Sequence, residues 1–374
     1  MSAPWAPANR AIWAERLSHR NLSRLGLGLA IGGLGGFLAH LAGVPLAWML
    51  GALFFCMIAS VAGAPADVPV WLRMHFLSVI GLFLGESFSA ADAESLARWP
   101  ATLTLAVLYV PAGAALCYVA FRRLSGMERA TSLLVSMPGG VTAIAVFAGE
   151  AGTDERRVAL YHALRVALVV VAAPVVAFGW LGPPAPEATP ENPQGLMSWA
   201  DLALLIGVAL PSIWLLQKVK APVPYMLGPL LASALLRFPG VIEGGLPGWL
   251  VELSLVVTGS SIGSRFHGAP LRFFFETILW CMLGTALLML LSLGFAFAAH
   301  GLLGVDLFAA LLAYAPGGVA EMSLIALSID ADPAFVATHH MVRIFGVLFS
   351  LPLLSGIIRR LVEEDRRASG FRRD

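Results

Sequence analysis

Four ionisable residues recur as pairs inside apolar sequence. Tyr161-His162 is followed by Arg165, and His339-His340 by Arg343, 178 residues later. A histidine and an arginine three residues apart share one helix face. Ionisable residues inside a membrane span face a cavity or a partner. The chemistry open to these is proton handling by His162 and His340, with Arg165 and Arg343 pairing a carboxylate. The competing reading has the arginines snorkelling to the interface or bracing the backbone of a neighbouring broken segment. A metal site made from His339, His340 and Glu321 would be poorly spaced.

Upstream of each pair the chain breaks its own apolar run. Ser136-Met137-Pro138-Gly139-Gly140-Val141 and Ala315-Pro316-Gly317-Gly318-Val319 place Pro-Gly-Gly in mid-segment, again 178 residues apart. Proline removes a backbone donor and clashes with the preceding turn, and two glycines add backbone freedom. In hydrocarbon the freed polar groups must be satisfied by protein or water, so a break at that depth points to a cavity. The helix after each break presents free N–H groups and a positive dipole end, which attract anions. Thr142 could donate to a ligand or cap its helix. Glu321 departs from the symmetry, and a carboxylate there suits a coupling cation, a proton or a cationic substrate, or simply a helix N-terminus. Glu86, Ser260 and Ser261 are further polar groups that could line the same cavity, next to the close-packing pairs Gly81/Gly85 and Gly259/Gly263.

The elements that must position these residues follow from composition. The chain has 374 residues, 58% hydrophobic and 13% charged, with mean hydropathy +0.82; soluble domains carry about 25% charged residues. The apolar residues come in runs of roughly 17–25, enough to cross a core of about 30 Å. The sequence therefore specifies an all-α polytopic membrane protein. A net charge of +1 and no DNA-binding motif give no basic face for nucleic acid. Cys56, Cys117 and Cys281 lie in apolar runs without metal spacing and read as small core residues. Four arginines precede the first apolar run and no small-residue cleavage site follows it, so that run reads as an uncleaved span.

Twelve apolar segments fall into two halves, at about 25–42, 44–62, 73–89, 99–121, 130–149 and 158–180, then 201–217, 222–237, 249–264, 272–299, 306–328 and 334–357. The Pro- and Glu-rich stretch 181–200 separates them as a linker. Pro45-Leu-Ala-Trp48-Met49-Leu50-Gly51 matches Pro222-Val-Pro-Tyr225-Met226-Leu227-Gly228 at an offset of 177, and the glycine pairs, the Pro-Gly-Gly blocks and Asp154/His162/Arg165 against Asp332/His340/Arg343 match at 178. The protein is a duplication. Lys and Arg favour cytoplasmic loops. Arg10 to Arg24, Arg122, Arg123, Arg129, Lys218, Lys220, Arg265, Arg272 and the tail from Arg359 agree only if each half crosses an odd number of times. Demoting each Pro-Gly-Gly segment to a re-entrant hairpin gives five crossings plus a hairpin; merging the first two segments and letting the broken helix span keeps the same parity. Either way the repeats are inverted, as in secondary transporters. The expected organisation is a cytoplasmic segment 1–24, repeat 1 at 25–180, an external linker 181–200, repeat 2 at 201–357 and a basic cytoplasmic tail 358–374.

Together these blocks resemble the membrane AbrB family, a duplicated integral-membrane family variously labelled transporter, regulator or ammonia monooxygenase, and the resemblance covers about residues 25–357. It implies a bacterial inner-membrane protein with a link to gene regulation, and is distinct from the small DNA-binding regulators that share the name. The expected function is secondary transport of a small anionic or zwitterionic metabolite, coupled to protons or sodium, without enzymatic activity or cofactor. Its expected partners are that substrate and the lipid bilayer, and not nucleic acid; pairing as a homodimer stays open. The ligand-handling residues would be Pro138, Gly139, Gly140, Thr142, Pro316, Gly317, Gly318, Glu321, His162, Arg165, His340 and Arg343, with Glu86, Ser260, Tyr161 and His339 beside them. A membrane-embedded regulator acting through a partner is the alternative. A copper monooxygenase would need imidazole ligands, and eight histidines with one adjacent pair argue against it.

Overall fold

The computed structural model describes residues 19–44, 46–86, 98–139, 141–181, 195–219, 221, 223–266, 271–329 and 331–368. Among them are fourteen α-helices and no strand. They are α1 (His19–Leu41), α2 (Ala47–Val61), α3 (Val70–Gly85), α4 (Trp99–Leu124), α5 (Arg129–Ser136), α6 (Val141–Ala151) and α7 (Glu155–Leu181), then α8 (Trp199–Lys218), α9 (Pro224–Arg237), α10 (Gly248–Gly263), α11 (Leu271–Leu303), α12 (Leu307–Tyr314), α13 (Val319–Ser328) and α14 (Pro333–Ala368). Most of the expected cytoplasmic N-terminal segment, the linker over 182–194 and the last six residues lie outside the described residues.

Six of these helices, α1, α4, α7, α8, α11 and α14, are long and apolar enough to cross a bilayer. Large apolar side chains on them stand exposed, among them Phe37, Leu210, Phe349 and Leu353, the last at 81%. A soluble surface rarely tolerates this, whereas lipid takes it without penalty. The chain is an all-α polytopic membrane protein.

Both Pro-Gly-Gly segments are helix, break, helix. α5 and α6 have 8 and 11 residues, and α12 and α13 have 8 and 10. Each arm is thus about 12–17 Å long, half of a hydrocarbon core. The residue before each proline is extended, Met137 at ψ 126 and Ala315 at ψ 141, as the proline ring requires. Gly139 takes φ +135, a conformation that side chains resist.

The chain divides into two compact units, residues 1–76 with 252–269, and residues 77–251 with 270–374. In the first, α1 and α2 pack through Gly35 and Gly51, whose backbones touch. α10 lies on α2: a Cβ on Gly259 would strike Met49 O, and one on Gly263 would lie 2.8 Å from Cys56 Cβ. The second unit holds the matching contact. A Cβ on Gly81 of α3 would strike Met226 O of α9, and one on Gly85 would lie 2.8 Å from Leu230 O. The glycine pairs therefore serve backbone-to-backbone packing, and each pairs a helix of one repeat with a helix of the other. α2 and α9 both open on a left-handed residue, Leu46 at φ 50 and Val223 at φ 48. A β-branched residue there costs about 1–2 kcal/mol, so tertiary packing holds this entry.

The expected spans 44–62, 73–89, 222–237 and 249–264 appear as helices of 15, 16, 14 and 16 residues. At about 21–24 Å they are shorter than a full core. Trp99 packs edge-on against Phe335 and His339, with centroids 6.2 and 6.4 Å away.

Substituting Gly81→Val or Gly259→Val should force these backbones apart and lower the melting temperature of the detergent-solubilised protein, at a cost of roughly 1–3 kcal/mol. Gly33→Ala, whose Cβ meets nothing within 4 Å, should be neutral or slightly stabilising.

Candidate functional site

Helix α7 runs beside α5, and α14 beside α12, each in the second unit. These pairings place the histidines and arginines against the breaks. His162 Nε2 donates to Leu134 O at 3.1 Å, and Arg165 donates to Met137 O at 2.8 Å. In the second repeat His340 Nε2 donates to Leu312 O at 2.8 Å. Arg343 donates to Ala315 O, to Tyr314 O at 3.3 Å and to Gly317 O at 2.8 Å. Leu134 and Leu312 are equivalent at the 178-residue offset, and so are Met137 and Ala315.

The physical reason is local. A helix end leaves carbonyls without intrahelical partners, and its partial negative charge favours a cation. Met137 and Ala315 are buried, so a side chain must supply the donors. Guanidinium carries five donors in a rigid fork, which suits several carbonyls at once. The arginines therefore brace the breaks, and no carboxylate lies within 4 Å of either among the described residues.

The two breaks also approach each other. A Cβ on Gly139 would lie 3.9 Å from Arg343 Nε and 3.8 Å from Val347. The first break thus runs against the arginine that holds the second. Arg165 and Arg343 are 1% and 2% exposed, and the Nε of each has no hydrogen-bond partner. His162 Nδ1 and Ser323 Oγ are buried without one as well.

Both ring nitrogens of His340 are engaged. Arg343 donates to Nδ1 at 2.9 Å, so the hydrogen-bond pattern assigns the proton to Nε2. His339 has Nδ1 on Phe335 O at 2.7 Å and Nε2 on Thr102 Oγ1 at 2.8 Å. In this arrangement neither ring offers a free lone pair to a metal. Tyr161 is buried behind Phe121, edge-on at 5.5 Å.

Glu321 is buried on the first turn of α13. Its carboxylate folds back over Gly318, where a Cβ would lie 2.9 Å from Cδ. Gly318 is the N-cap and Glu321 the third helical residue, the spacing of a capping box. α6 has no acidic residue in its first turn, so the two helix starts differ in charge. Gly140 and the Thr142 side chain lie outside the described residues, while Pro138 and Pro316 are buried at the breaks. Glu86 is tied elsewhere: it accepts from Leu246 N at 3.0 Å and pairs with Arg237 at 3.4 Å. Ser260 belongs to the first unit, where a Cβ on Gly32 would strike its hydroxyl.

Sequence reading passed over a polar network beside Arg343. Tyr314 OH donates to Thr102 O at 3.0 Å, and Ser292 Oγ donates to Tyr314 O at 2.9 Å. Tyr109 lies 6.3 Å from Tyr314, centroid to centroid. The available signal was weak: hydroxyl residues inside apolar runs, without a matching block in the other half.

The family model described as "Transition state regulatory protein AbrB" matches residues 48–359. The chain belongs to the AbrB family. Similar AbrB-type proteins include "Uncharacterized protein YhjN" of Bacillus subtilis (strain 168), 26% identical over 91% of this chain and 95% of that protein. "Putative regulator AbrB" of Escherichia coli (strain K12) is 27% identical over 86% of this chain and 92% of its own length. The match to the AbrB family model spans both breaks, both His–Arg pairs and both glycine pairs.

Because the Glu321 carboxylate occupies the space over Gly318, Gly318→Ala should expel it and cost about 0.5–2 kcal/mol, the usual worth of a helix cap. In a Glu321→Ala background the same alanine should cost almost nothing. A double-mutant cycle of thermal melts reads this coupling.

Proposed function

We propose that this AbrB-family protein is a secondary transporter of a small anionic or zwitterionic metabolite, and not an enzyme. One observation carries the reading. Two guanidinium groups, one from each repeat, are buried beside the two helix breaks with no carboxylate within 4 Å among the described residues. Burying a charge without an ionic partner is costly, and main-chain carbonyls offset only part of that. Each Nε also lacks a partner. A carboxylate- or phosphate-bearing solute would complete both.

The layout supports the same reading. Met127, just before α5, and Arg157, just after α6, line one cleft. In the second repeat Arg98 donates to Gly304 O, just before α12, and Trp99 meets Phe335, just after α13. Each broken segment thus has both ends at one edge, as a re-entrant hairpin would. With the arginine pattern of the loops, this favours inverted repeats in a bacterial inner membrane, both termini cytoplasmic, with alternating access around the arginines.

His340 offers a coupling device. Its Nδ1 accepts from Arg343. A proton arriving there would set donor against donor and release one arm of the fork from the second break. Proton coupling is therefore the favoured form, with sodium the alternative. A transporter that sets the level of an effector metabolite would also alter transcription without touching DNA, which fits the regulator name carried by the Escherichia coli relative.

The test is uptake and ligand-induced stabilisation with purified protein. Anionic and zwitterionic metabolites should raise the melting temperature, and cationic ones should not. Arg165→Gln and Arg343→Gln should each weaken that response about 10- to 100-fold in concentration, the worth of a charge-assisted hydrogen bond. Gly139→Val and Gly317→Val should insert yet abolish uptake into proteoliposomes. Full uptake by well-folded Arg343→Gln protein would overturn the proposal.

A further inference from the structure

The 178-residue offset also pairs two regions that differ sharply. Beside the first break a cleft of about 280 Å³ opens, lined by Met127, Arg157, Tyr161, Glu276 and Trp280. Its floor is Tyr161 and Val135, both 1% exposed. Tyr161 precedes His162 and lies one turn before Arg165 on α7; Val135 stands two residues before Met137, whose carbonyl Arg165 holds. The cleft therefore ends one side chain short of the braced break.

The equivalent positions beside the second break are filled. Gly126 and Gly304 match in place and conformation, at φ +66 and +64, which fixes the register of the helices before them. Where the cleft has Thr277, the equivalent position beside the second break is Trp99; for Arg157 it is Phe335, and for Tyr161 it is His339. Phe335 and His339 lie with ring centroids 3.9 Å apart, tilted by 38°, and Trp99 meets both edge-on. Arg98, the counterpart of Glu276, donates to Gly304 O at 2.9 Å. His339 is pinned from below by Thr102 at 2.8 Å. Phe335 and His339 are 4% and 0% exposed.

We infer that the cleft of Arg157, Tyr161, Glu276 and Trp280 is the open aqueous vestibule to the buried arginines, and that Arg98, Trp99, Phe335 and His339 form the closed gate at its symmetry-equivalent position. This rests on the transporter reading with inverted repeats, which places the two at opposite membrane faces. The vestibule wall carries both charge signs and two aromatic rings, so it admits a small polar solute. The gate is built of ring faces and one main-chain hydrogen bond, contacts that can part without leaving a buried charge bare. The two ends are chemically unlike, so the gate is specific to the second break and is not a generic feature of the duplication.

The test is cysteine accessibility in vesicles of both orientations, using a membrane-impermeant maleimide and no substrate. The native Cys56, Cys117 and Cys281 are all buried, so the wild-type protein sets a low background. Arg157→Cys, with Ser125→Cys as a second vestibule reporter, should label from one membrane face. Phe335→Cys, the equivalent of Arg157→Cys, should label at least ~10-fold more slowly. Adding Trp99→Ala should raise Phe335→Cys labelling to the vestibule rate, from the opposite face. Equal labelling of Arg157→Cys and Phe335→Cys in otherwise wild-type, monodisperse protein would overturn the gate. So would labelling of both from one face. Because no solute is used, the asymmetry can stand even where anion binding fails, and anion binding can stand where the asymmetry fails.

Discussion

A guanidinium fork holding carbonyls that a broken helix leaves bare is the interaction on which this membrane protein turns. Proline and glycine end α5 and α12, and the carbonyls at those ends have no intrahelical donors. Both breaks are buried, so bulk water does not satisfy them as it would on a soluble surface. Arg343 meets the deficit at Tyr314, Ala315 and Gly317, and Arg165 meets it at Met137. The breaks can exist only because these arginines are buried, and the arginines can be buried only because the breaks supply acceptors. Removing either leaves the other unsatisfied in a medium of low dielectric.

That mutual dependence also explains why the site holds positive charge in surplus. Carbonyl dipoles soften the cost of a buried cation but do not cancel it. Glu321 is close in sequence to the second break, yet its carboxylate is spent on its own helix start over Gly318. The first break has no such residue in the turn that follows. The two ends of one duplicated motif have thus drifted to different electrostatic roles while keeping the same brace.

Much of this was legible in the sequence, and the limits have physical causes. The duplication, the breaks and the shared face of His340 and Arg343 are carried by residue types at fixed spacing, which survive in one dimension. The extended residues before Pro138 and Pro316 follow from the proline ring alone. For the arginines, residue types left a carboxylate, the interface and the backbone of the broken segment all open; the backbone is the partner, and which carbonyls it offers was not legible because a main-chain carbonyl has no residue type. The glycine pairs announced close packing but could not say against which helix, since the receiving surfaces at Met49 and Met226 are backbone too. The folding-back of Glu321 could have been read from its place three residues after Gly318.

The crossed glycine contacts also determine what a severed chain would lack. Helix α3, before the 181–200 stretch, is covered by α9 beyond it, and α2 is covered by α10. Neither side keeps the partner of its own glycine-faced helix. A polypeptide stopping at the stretch would leave the close-packed backbone faces of α2 and α3 bare, so both sides must be present together before either is covered.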